Sequence, residues 1–296
     1  MNGVLVIDKP AGPTSFDVVR RVRSLVRVKK VGHTGTLDPM ATGVLPLCLG
    51  DATKIAGFIT EGDKAYRAVV QLGVETDTQD AEGKILSERP VPALGREALE
   101  AAVAGFRGKQ LQTPPMYSAI KVSGRRLYEL ARAGEQVERA PREVTVHALE
   151  LVDFKERELT LDVRCSKGFF VRALAADLGQ RLGCGAHLKA LRRTQSGPFT
   201  LQQAVGLDRL AADLEQGPRA LADLERRLVS LSDALAELPA FPVSPTLADK
   251  VLHGLPIEAS ARVPDGRVRV VDASGRLLAV AEVGPTRRLR YLRVLG

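Results

Sequence analysis

A loop rich in glycine, threonine and proline constrains this chain more than any other segment. It runs from Gly32 to Leu47 with the sequence GHTGTLDPMATGVLPL and is called the signature loop below. Glycine adopts backbone angles that other residues resist, and the residue before a proline is driven out of the helical region. The signature loop is therefore predicted to fold sharply and to hold its one carboxylate, Asp38, at a fixed angle close to a ligand. An isolated Asp-Pro pair, by contrast, is typical of an ordinary turn.

Length and charge limit the class of protein. The 296 residues fit one large or two ordinary domains, and 45% hydrophobic with 26% charged residues is typical of a soluble, globular chain. A net charge of +8 favours a polyanionic partner, RNA or DNA before a membrane. No apolar run reaches membrane-spanning length, and the N-terminal apolar run is too short for a signal sequence. We therefore expect no membrane association.

The cysteines and histidines indicate neither disulfides nor a metal site. The three cysteines are scattered and odd in number, which favours a reducing, cytoplasmic location. None of the four histidines falls at metal-ligand spacing from them. The residues concerned are Cys48, Cys165, Cys184, His33, His147, His187 and His253.

A basic helix is predicted just before the signature loop. Thr14 or Ser15 can cap a helix whose apolar positions, from Val18 to Val26, follow the helical period. Six cations occupy its other face and the residues after it, against one acid, Asp17. These cations, Arg20, Arg21, Arg23, Arg27, Lys29 and Lys30, form either a solvated face or a phosphate-binding face.

Periodicity predicts further elements and a boundary between two domains. Strands are expected at 4–7, 66–72, 143–152 and 159–165, and helices at 96–106, 127–133, 171–182 and 218–238. The Pro-rich stretch 238–245 is a linker candidate, so we predict a domain over 1–238 and a small β-rich module over 241–296. The tail strands are expected at 267–271, 277–283 and 289–295.

Several cofactor and catalytic motifs are excluded. The glycines of the signature loop are not followed by Gly-Lys-Ser/Thr, and neither GxGxxG nor GxSxG occurs. The polar loop from Thr76 to Gly83 fails the pattern of a calcium loop, because its glycine is misplaced and Ala81 stands at a ligand position. No nucleotide cofactor or calcium site is therefore indicated.

The signature loop resembles that of the TruB family of tRNA pseudouridine synthases, in which the Asp of GHTGTLDP is the nucleophile. Further motifs in the same order extend the resemblance over residues 3–210. It implies that Asp38 is the nucleophile here. A carboxylate that stays ionised in a water-poor pocket is expected to lie near an arginine, since burial disfavours its charge.

Other site residues are implied by this resemblance. Arg172, in CSKGFFVR, is similar to the family arginine and is expected to pair with Asp38. Tyr66 resembles the tyrosine that stacks on the uracil, with its hydroxyl near the C5 proton, although an aromatic residue in a strand is more often part of the core. His33 resembles the residue that packs where the target base has left its stack, and Leu191 the one that lines the uracil pocket. Phe170 departs from the family pattern, which commonly has tyrosine there.

The resemblance also implies a fold and a reaction. The expected fold is α+β, with a curved, mainly antiparallel sheet and a PUA-like C-terminal module. The expected reaction is conversion of uridine to pseudouridine at position 55 in the T-loop of tRNA, with no cofactor, metal or guide RNA, by a monomer. Two alternatives stay open. The first is a glycosidase-like, base-excising enzyme, because glycosidases also use a carboxylate that attacks an anomeric carbon. The second is a non-catalytic RNA-folding protein.

Overall fold

The computed structural model describes residues 1–122 and 124–296, and these form two compact units. Unit 1 contains Met1–Pro39, Gly43–Gly62 and Ser196–Gly296, and unit 2 contains Met40–Thr42 and Asp63–Gln195. Unit 1 is thus discontinuous in sequence, whereas unit 2 is almost one continuous segment. Helices and mainly antiparallel strands occur in both, which confirms the predicted α+β class.

Eight α-helices lie in the described residues. They are α1 (Ser15–Val26), α2 (Ala56–Thr60), α3 (Arg96–Ala104), α4 (Leu127–Arg132), α5 (Val171–Arg181), α6 (Leu207–Leu214), α7 (Pro218–Arg227) and α8 (Pro245–Leu252). Short 3-10 helices cover Gly50–Ile55, Leu201–Gln203 and Asp233–Leu235. Over the described ranges, each helix is too short or too polar to cross a bilayer.

Eighteen strands lie in the same residues. They are β1 (Gly3–Lys9), β2 (Val31–His33), β3 (Thr42–Leu49), β4 (Lys64–Leu72), β5 (Val74–Thr76), β6 (Ile85–Glu88), β7 (Gly108–Gln112), β8 (Lys121–Val122), β9 (Arg125–Arg126), β10 (Arg142–Lys155), β11 (Glu158–Cys165), β12 (Ala186–Ser196), β13 (Phe199–Thr200), β14 (Val205–Gly206), β15 (Ala240–Pro242), β16 (Gly266–Val271), β17 (Leu277–Val283) and β18 (Leu289–Val294).

In unit 1, the apolar strand β1 lies between two others. It pairs antiparallel with β3, with Leu5 opposite Leu47, and parallel with β14, with Ile7 opposite Val205. β2 pairs antiparallel with β3, so that His33 stands opposite Leu47. Continuous apolar runs such as β1 are typical of strands covered on both faces. The two ends of the signature loop are consequently held in one sheet.

The C-terminal residues form a separate four-stranded sheet in the order β15-β16-β17-β18. One set of side chains packs only within residues 241–294, around Phe241, Val251 and Val268. A second set, including Val271, Leu277 and Val280, packs with core side chains of the N-terminal strands, among them Val4 and Val6. The sheet therefore has a core of its own and also completes the core of unit 1.

In unit 2, a largely antiparallel sheet has the order β12-β4-β11-β10-β7. Tyr66 on β4 stands opposite Val163 on β11. The β10–β11 register shifts at two places, near Val146 and Asp153, and such bulges bend a strand and increase its twist.

One predicted element is wrong over half its length, because the helix expected at 218–238 ends at Arg227. Leu228 is extended, and the backbone N–H and C=O of Val229 bond to the C=O and N–H of Val4 at 2.9 and 2.8 Å. Leu235 then enters the core through a short 3-10 helix. Pairing with β1 and burial therefore outweigh the helical pattern of this segment.

Candidate active site

The backbone just before Asp38 is fixed by α1. The hydroxyl of Ser15, the first residue of α1, accepts a bond from the Leu37 N–H at 2.8 Å and donates to the Leu37 C=O at 2.9 Å. Leu37 and Ser15 are both buried. The N-terminus of α1 is itself fixed by a capping box between Thr14 and Asp17. One side of Asp38 is thereby held against the start of a helix.

The backbone just after Asp38 is fixed from β1. The Pro39 C=O accepts a bond from the Lys9 ammonium at 3.0 Å and from the Gly12 N–H at 2.9 Å. Lys9 is fully buried and also donates to the Pro10 C=O at 2.9 Å. A buried ammonium is costly unless hydrogen-bonded. Lys9 therefore holds the backbone of Pro39 in place, next to Asp38.

Asp38 itself is half-buried between these two anchors. At the other end of the turn, the Gly35 N–H donates to Nδ1 of His33 at 3.3 Å, and Gly35 has a φ of +140°, which suits glycine. The signature loop is thus folded sharply, as predicted, with its carboxylate held on a rigid frame. A carboxylate held in this way can act as a nucleophile or a base.

Arg172 is the second residue of α5 and is buried in unit 2, with a relative exposure of 4%. Its guanidinium donates to the Tyr117 C=O at 2.7 Å and the Thr78 C=O at 3.1 Å. Nη1 also lies 3.4 Å from Oδ2 of Asp80, and both side chains of this ion pair are 5% exposed. A buried arginine–carboxylate pair with further acceptors fixes the guanidinium plane.

Asp80 was missed by the sequence interpretation, which considered its loop only as a calcium site. Its Oδ1 accepts bonds from the Thr78 hydroxyl at 2.6 Å and the Glu82 N–H at 3.1 Å. The loop is also held by backbone pairing between Asp80 and Leu188. The only signal in the sequence was an acidic residue in a polar loop, which is too common to identify an arginine's partner.

Tyr66 is half-buried on β4 and shares a face of the strand with Lys64. Lys64 is 7% exposed, and burial, together with the charge of Arg193, lowers its pKa to about 8. The face that carries the Tyr66 ring is therefore a poorly hydrated environment in unit 2.

Phe170 is the N-cap residue of α5 and is half-buried. Both polar groups of its backbone are held by the side chain of Gln112, with the Phe170 N–H donating at 2.8 Å and its C=O accepting at 3.0 Å. This clamp sets the position from which Arg172 enters unit 2.

Leu191 is buried on β12, and its C=O accepts a bond from the Thr42 hydroxyl at 3.4 Å. Arg192 donates to the same hydroxyl at 3.4 Å. Unit 2 contains Leu191, Tyr66, Phe170 and Arg172, whereas His33 and Asp38 lie in unit 1.

The thiols offer no alternative nucleophile. All three cysteines are free and buried, and burial raises the pKa of the Cys48 and Cys165 thiols to about 12. A thiol with so high a pKa stays protonated near neutral pH. Within residues 1–122 and 124–296, no three His, Cys, Asp or Glu side chains cluster as metal ligands do.

The described residues supply a carboxylate on an anchored loop in unit 1, and a half-buried tyrosine and a buried, ion-paired arginine in unit 2. The family model of the TruB pseudouridylate synthase N-terminal domain matches residues 23–171, and that of the tRNA pseudouridylate synthase B C-terminal domain matches residues 172–236. The chain is 47% identical to tRNA pseudouridine synthase B of Stutzerimonas stutzeri, over 100% of this chain and 96% of the relative. It is 48% identical to that of Burkholderia pseudomallei, over 95% and 93%. The protein belongs to the TruB family of pseudouridine synthases, which are isomerases.

Solved structures of larger assemblies share the fold. A chain in the crystal structure of a Cbf5-Nop10-Gar1 complex is 25% identical, with a TM-score of 0.78 over 99% of this chain and 84% of that one. A chain of an archaeal box H/ACA sRNP Nop10-Cbf5 complex is 23% identical, with a TM-score of 0.75.

Proposed function

We propose that this protein converts uridine to pseudouridine at position 55 in the T-loop of tRNA, with the Asp38 carboxylate as nucleophile. Membership of the TruB family and relatives named tRNA pseudouridine synthase B support a tRNA uridine as substrate. The observation that carries the assignment of Asp38 is its loop, anchored at Leu37 and at Pro39. A group held this rigidly needs little reorganisation when it meets its substrate.

The reaction requires only positioned side chains. The bond between uracil N1 and C1′ breaks, the base turns in its pocket, and C5 bonds to C1′ before the C5 proton is lost and N1 is protonated. Substrate and product are isomers, so we expect no cofactor, metal or energy source. The target base must first leave its stack, at a cost of a few kcal/mol, which is lower in a loop than in a duplex.

Roles for the other predicted residues follow from their chemistry. Arg172 is proposed to keep the nucleophile ionised, with Asp80 fixing its guanidinium plane. Tyr66 stacks on the uracil and places its hydroxyl near C5, while Leu191 lines the pocket and Phe170 stacks without the hydroxyl of tyrosine. His33 packs where the base has left its stack.

The proposed partner is the T-arm of tRNA, and the protein acts as a cytoplasmic monomer without a guide RNA. Full-length relatives at 47% identity, named for tRNA, weigh more in this choice than the neighbours at about 25% that were solved within complexes. The module 241–296 is proposed to add RNA affinity, while the residues proposed for chemistry all precede it.

Replacing the nucleophile tests the proposal. Asp38→Asn keeps the size and hydrogen bonding of the side chain but removes its charge, so turnover should vanish while tRNA binding stays within a few-fold. Pseudouridine would be mapped by carbodiimide stops on an unmodified transcript, with Asp162→Asn on the exposed part of β11 as the control. Substantial turnover by Asp38→Ala would remove Asp38 from the mechanism.

Two further measurements, of free uracil and of tRNA refolding, separate the alternatives. A base-excising enzyme would release free uracil, whereas an isomerase leaves the mass of the RNA unchanged. If Asp38→Ala still refolds tRNA as well as the wild type, the RNA-folding activity exists beside the enzymatic one.

A further inference from the structure

The exposed face of α1 combines one aromatic ring with several cations. We propose that this face binds the substrate RNA beside the target loop, with Phe16 stacked on an unpaired base and the cations on neighbouring phosphates. The α1 surface is defined as Phe16, Arg20, Arg23, Arg27, Lys29 and Lys30. The inference rests on the proposed function in one respect, that the substrate is RNA.

The geometry of the helix puts the ring and the cations in one row. Phe16, Arg20, Arg23 and Arg27 follow one another at steps of four, three and four residues, so they lie along one face. All four are exposed, and the opposite face is buried in unit 1 through residues such as Val18 and Val22. The twelve residues of α1 span about 18 Å, long enough to follow a stretch of backbone.

Phe16 is 63% exposed, which is unusual for a large apolar side chain. The other side chains on this face of α1 are basic. It directly follows Ser15, whose hydroxyl holds Leu37, the neighbour of Asp38. The ring therefore stands at the end of α1 that adjoins the proposed nucleophile. A nucleic-acid base can stack on an aromatic ring whatever the base, and the nucleotides next to an extruded one have a face to offer.

The positive charge of the α1 surface is largely uncompensated. Arg20 pairs with Asp17, and the adjacent Arg21 pairs with Asp208 on α6. In the described part of the chain, Arg23, Arg27, Lys29 and Lys30 form no ion pair. Free cations in a row are the feature that attracts a phosphate backbone.

The C-terminal module 241–296, which is proposed to add RNA affinity, carries less unpaired positive charge. Arg287 pairs with Asp265, Arg290 with Glu282 and Arg288 with Glu258. Much of its positive charge is therefore neutralised within the module. The charge pattern favours α1 as the stronger site for phosphates.

The backbone conformation of Arg27 also supports a role for the α1 surface. As the C-cap residue of α1 it has a φ of +53°, a left-handed conformation in which glycine or asparagine is usual. An arginine held there adds strain that a glycine would avoid, and such strain is often found at functional positions.

RNA affinity measured over a range of salt tests the phosphate contacts. The full-length R23A/R27A variant would be tested on an unmodified tRNA transcript and on its T-arm stem-loop. A plot of log affinity against log salt concentration should have a slope shallower by about 1.4–1.8 than that of the wild type, since each of the two lost contacts removes roughly 0.7–0.9. The control, K155A/R157A, removes the same charge from the exposed turn between β10 and β11 and should leave the slope unchanged. Equal slopes for the two variants would overturn the phosphate contacts.

Single substitutions test the ring and the strained arginine. F16A should weaken binding by about fivefold to a hundredfold with an unchanged slope, whereas F16W should bind as the wild type does. The control is L86A, at a side chain that is 68% exposed in unit 2. R27G should melt at an equal or higher temperature and yet lose slope, a combination that a purely structural arginine would not give. Wild-type affinity of F16A would overturn the stacking.

Failure of this inference and failure of the proposed function give different results. If wild-type protein converts the T-loop uridine but R23A/R27A keeps the wild-type slope, only the α1 surface is wrong. If the wild type leaves that uridine unconverted while R23A/R27A still loses slope, the surface stands and the proposed reaction fails. An acidic protein partner at α1 would leave every RNA measurement unchanged and so overturn the inference.

Discussion

The ion pair between Arg172 and Asp80 is more than a local contact, because both charges are almost fully removed from water. Burial of either charge alone is strongly unfavourable, and removing one partner of a buried pair typically costs about 3–5 kcal/mol. Exposed pairs contribute far less, about 0–1 kcal/mol. The pair therefore helps to fix the direction of the Arg172 guanidinium, and breaking it from one side is expected to destabilise unit 2.

We predict that Asp80→Asn lowers the free energy of unfolding by about 3–5 kcal/mol and reduces turnover more than RNA affinity. Arg172→Lys should also impair turnover, because an ammonium lacks the planar fork that meets three acceptors. The double variant should cost less than the sum of the two single variants. Urea unfolding and single-turnover kinetics would measure these effects.

The matched control is Asp162→Asn, which breaks the exposed pair with Arg67 between β4 and β11. It should cost no more than about 1 kcal/mol. If Asp80→Asn proves as mild as this control, the buried pair neither stabilises unit 2 nor orients Arg172.

Sequence patterns predicted a role for Arg172 but gave no indication of Asp80 as its partner. Arg172 lies in a motif that resembles a known family, and so its position could be transferred directly. Asp80 is 92 residues away along the chain and meets Arg172 only through the pairing of its loop with Leu188. Local spacing contains no information on such a contact.

Among the secondary-structure elements, α1 connects the chemistry of the signature loop to the proposed RNA surface. Its buried face was predicted from the period of its valines, and its N-terminal cap was predicted at Thr14 or Ser15, of which the structure shows Thr14. The link from Ser15 to Leu37 was not, because it joins residues of two different elements. A helix could thus be predicted, but its role in holding Asp38 required the structure.

Ser15→Ala is predicted to lower turnover about tenfold or more, since a small misplacement of a reacting group can cost up to about a hundredfold. The variant leaves the buried Leu37 N–H without its acceptor, which should also lower stability by about 1–3 kcal/mol. RNA affinity should change little. Steady-state kinetics, thermal melting and filter binding would measure the three quantities.

The control for this substitution is Ser24→Ala, at an exposed serine of the same helix. It should leave turnover and stability unchanged. Reduced stability of Ser15→Ala with full turnover would mean that the serine supports the fold but does not position Asp38.

Other elements show where sequence patterns mislead. The segment 218–238 has helical periodicity throughout, yet its second half leaves the helix to pair with Val4. β12 was not predicted, because charged residues such as Lys189 and Arg192 interrupt its apolar pattern. Pairing with strands that are distant in the sequence determines the structure of both segments, and the periodicity of a segment contains no information on such pairing.

For the whole molecule, the important feature is the core that the C-terminal sheet shares with the N-terminal strands. Val271, Leu277 and Val280 pack in the same cluster as Val4 and Val6. Arg269 adds hydrogen bonds to the Ser232 hydroxyl at 2.7 Å and the Leu238 C=O at 3.0 Å. The module over 241–296 remains a proposal, but it supports unit 1 whatever its affinity for RNA.

A chain that ends at Leu238 is therefore expected to melt well below the full-length protein. Fully burying one valine or leucine side chain contributes about 1.5–3 kcal/mol, and total stabilities are only about 5–15 kcal/mol. Circular dichroism melting would measure the loss. The full-length R288A/R293A variant keeps the shared core and removes only two positive charges. Its RNA affinity, compared with that of the wild type, measures the contribution of these arginines without the loss of stability. A fragment with full-length stability would show that the shared core contributes little.

The discontinuity of unit 1 has a consequence for synthesis of the protein on the ribosome. Residues 63–195 form nearly all of unit 2 and leave the ribosome as one stretch, so they can fold while translation continues. The strand β1 and the signature loop are made earlier, but their core lacks Val229, Val271 and Val280 until those residues, which follow unit 2, have been made. β1 is thus made before unit 2 but reaches its final packing only after residues that follow unit 2 have been made, and the loop that carries Asp38 gains its complete support at that point.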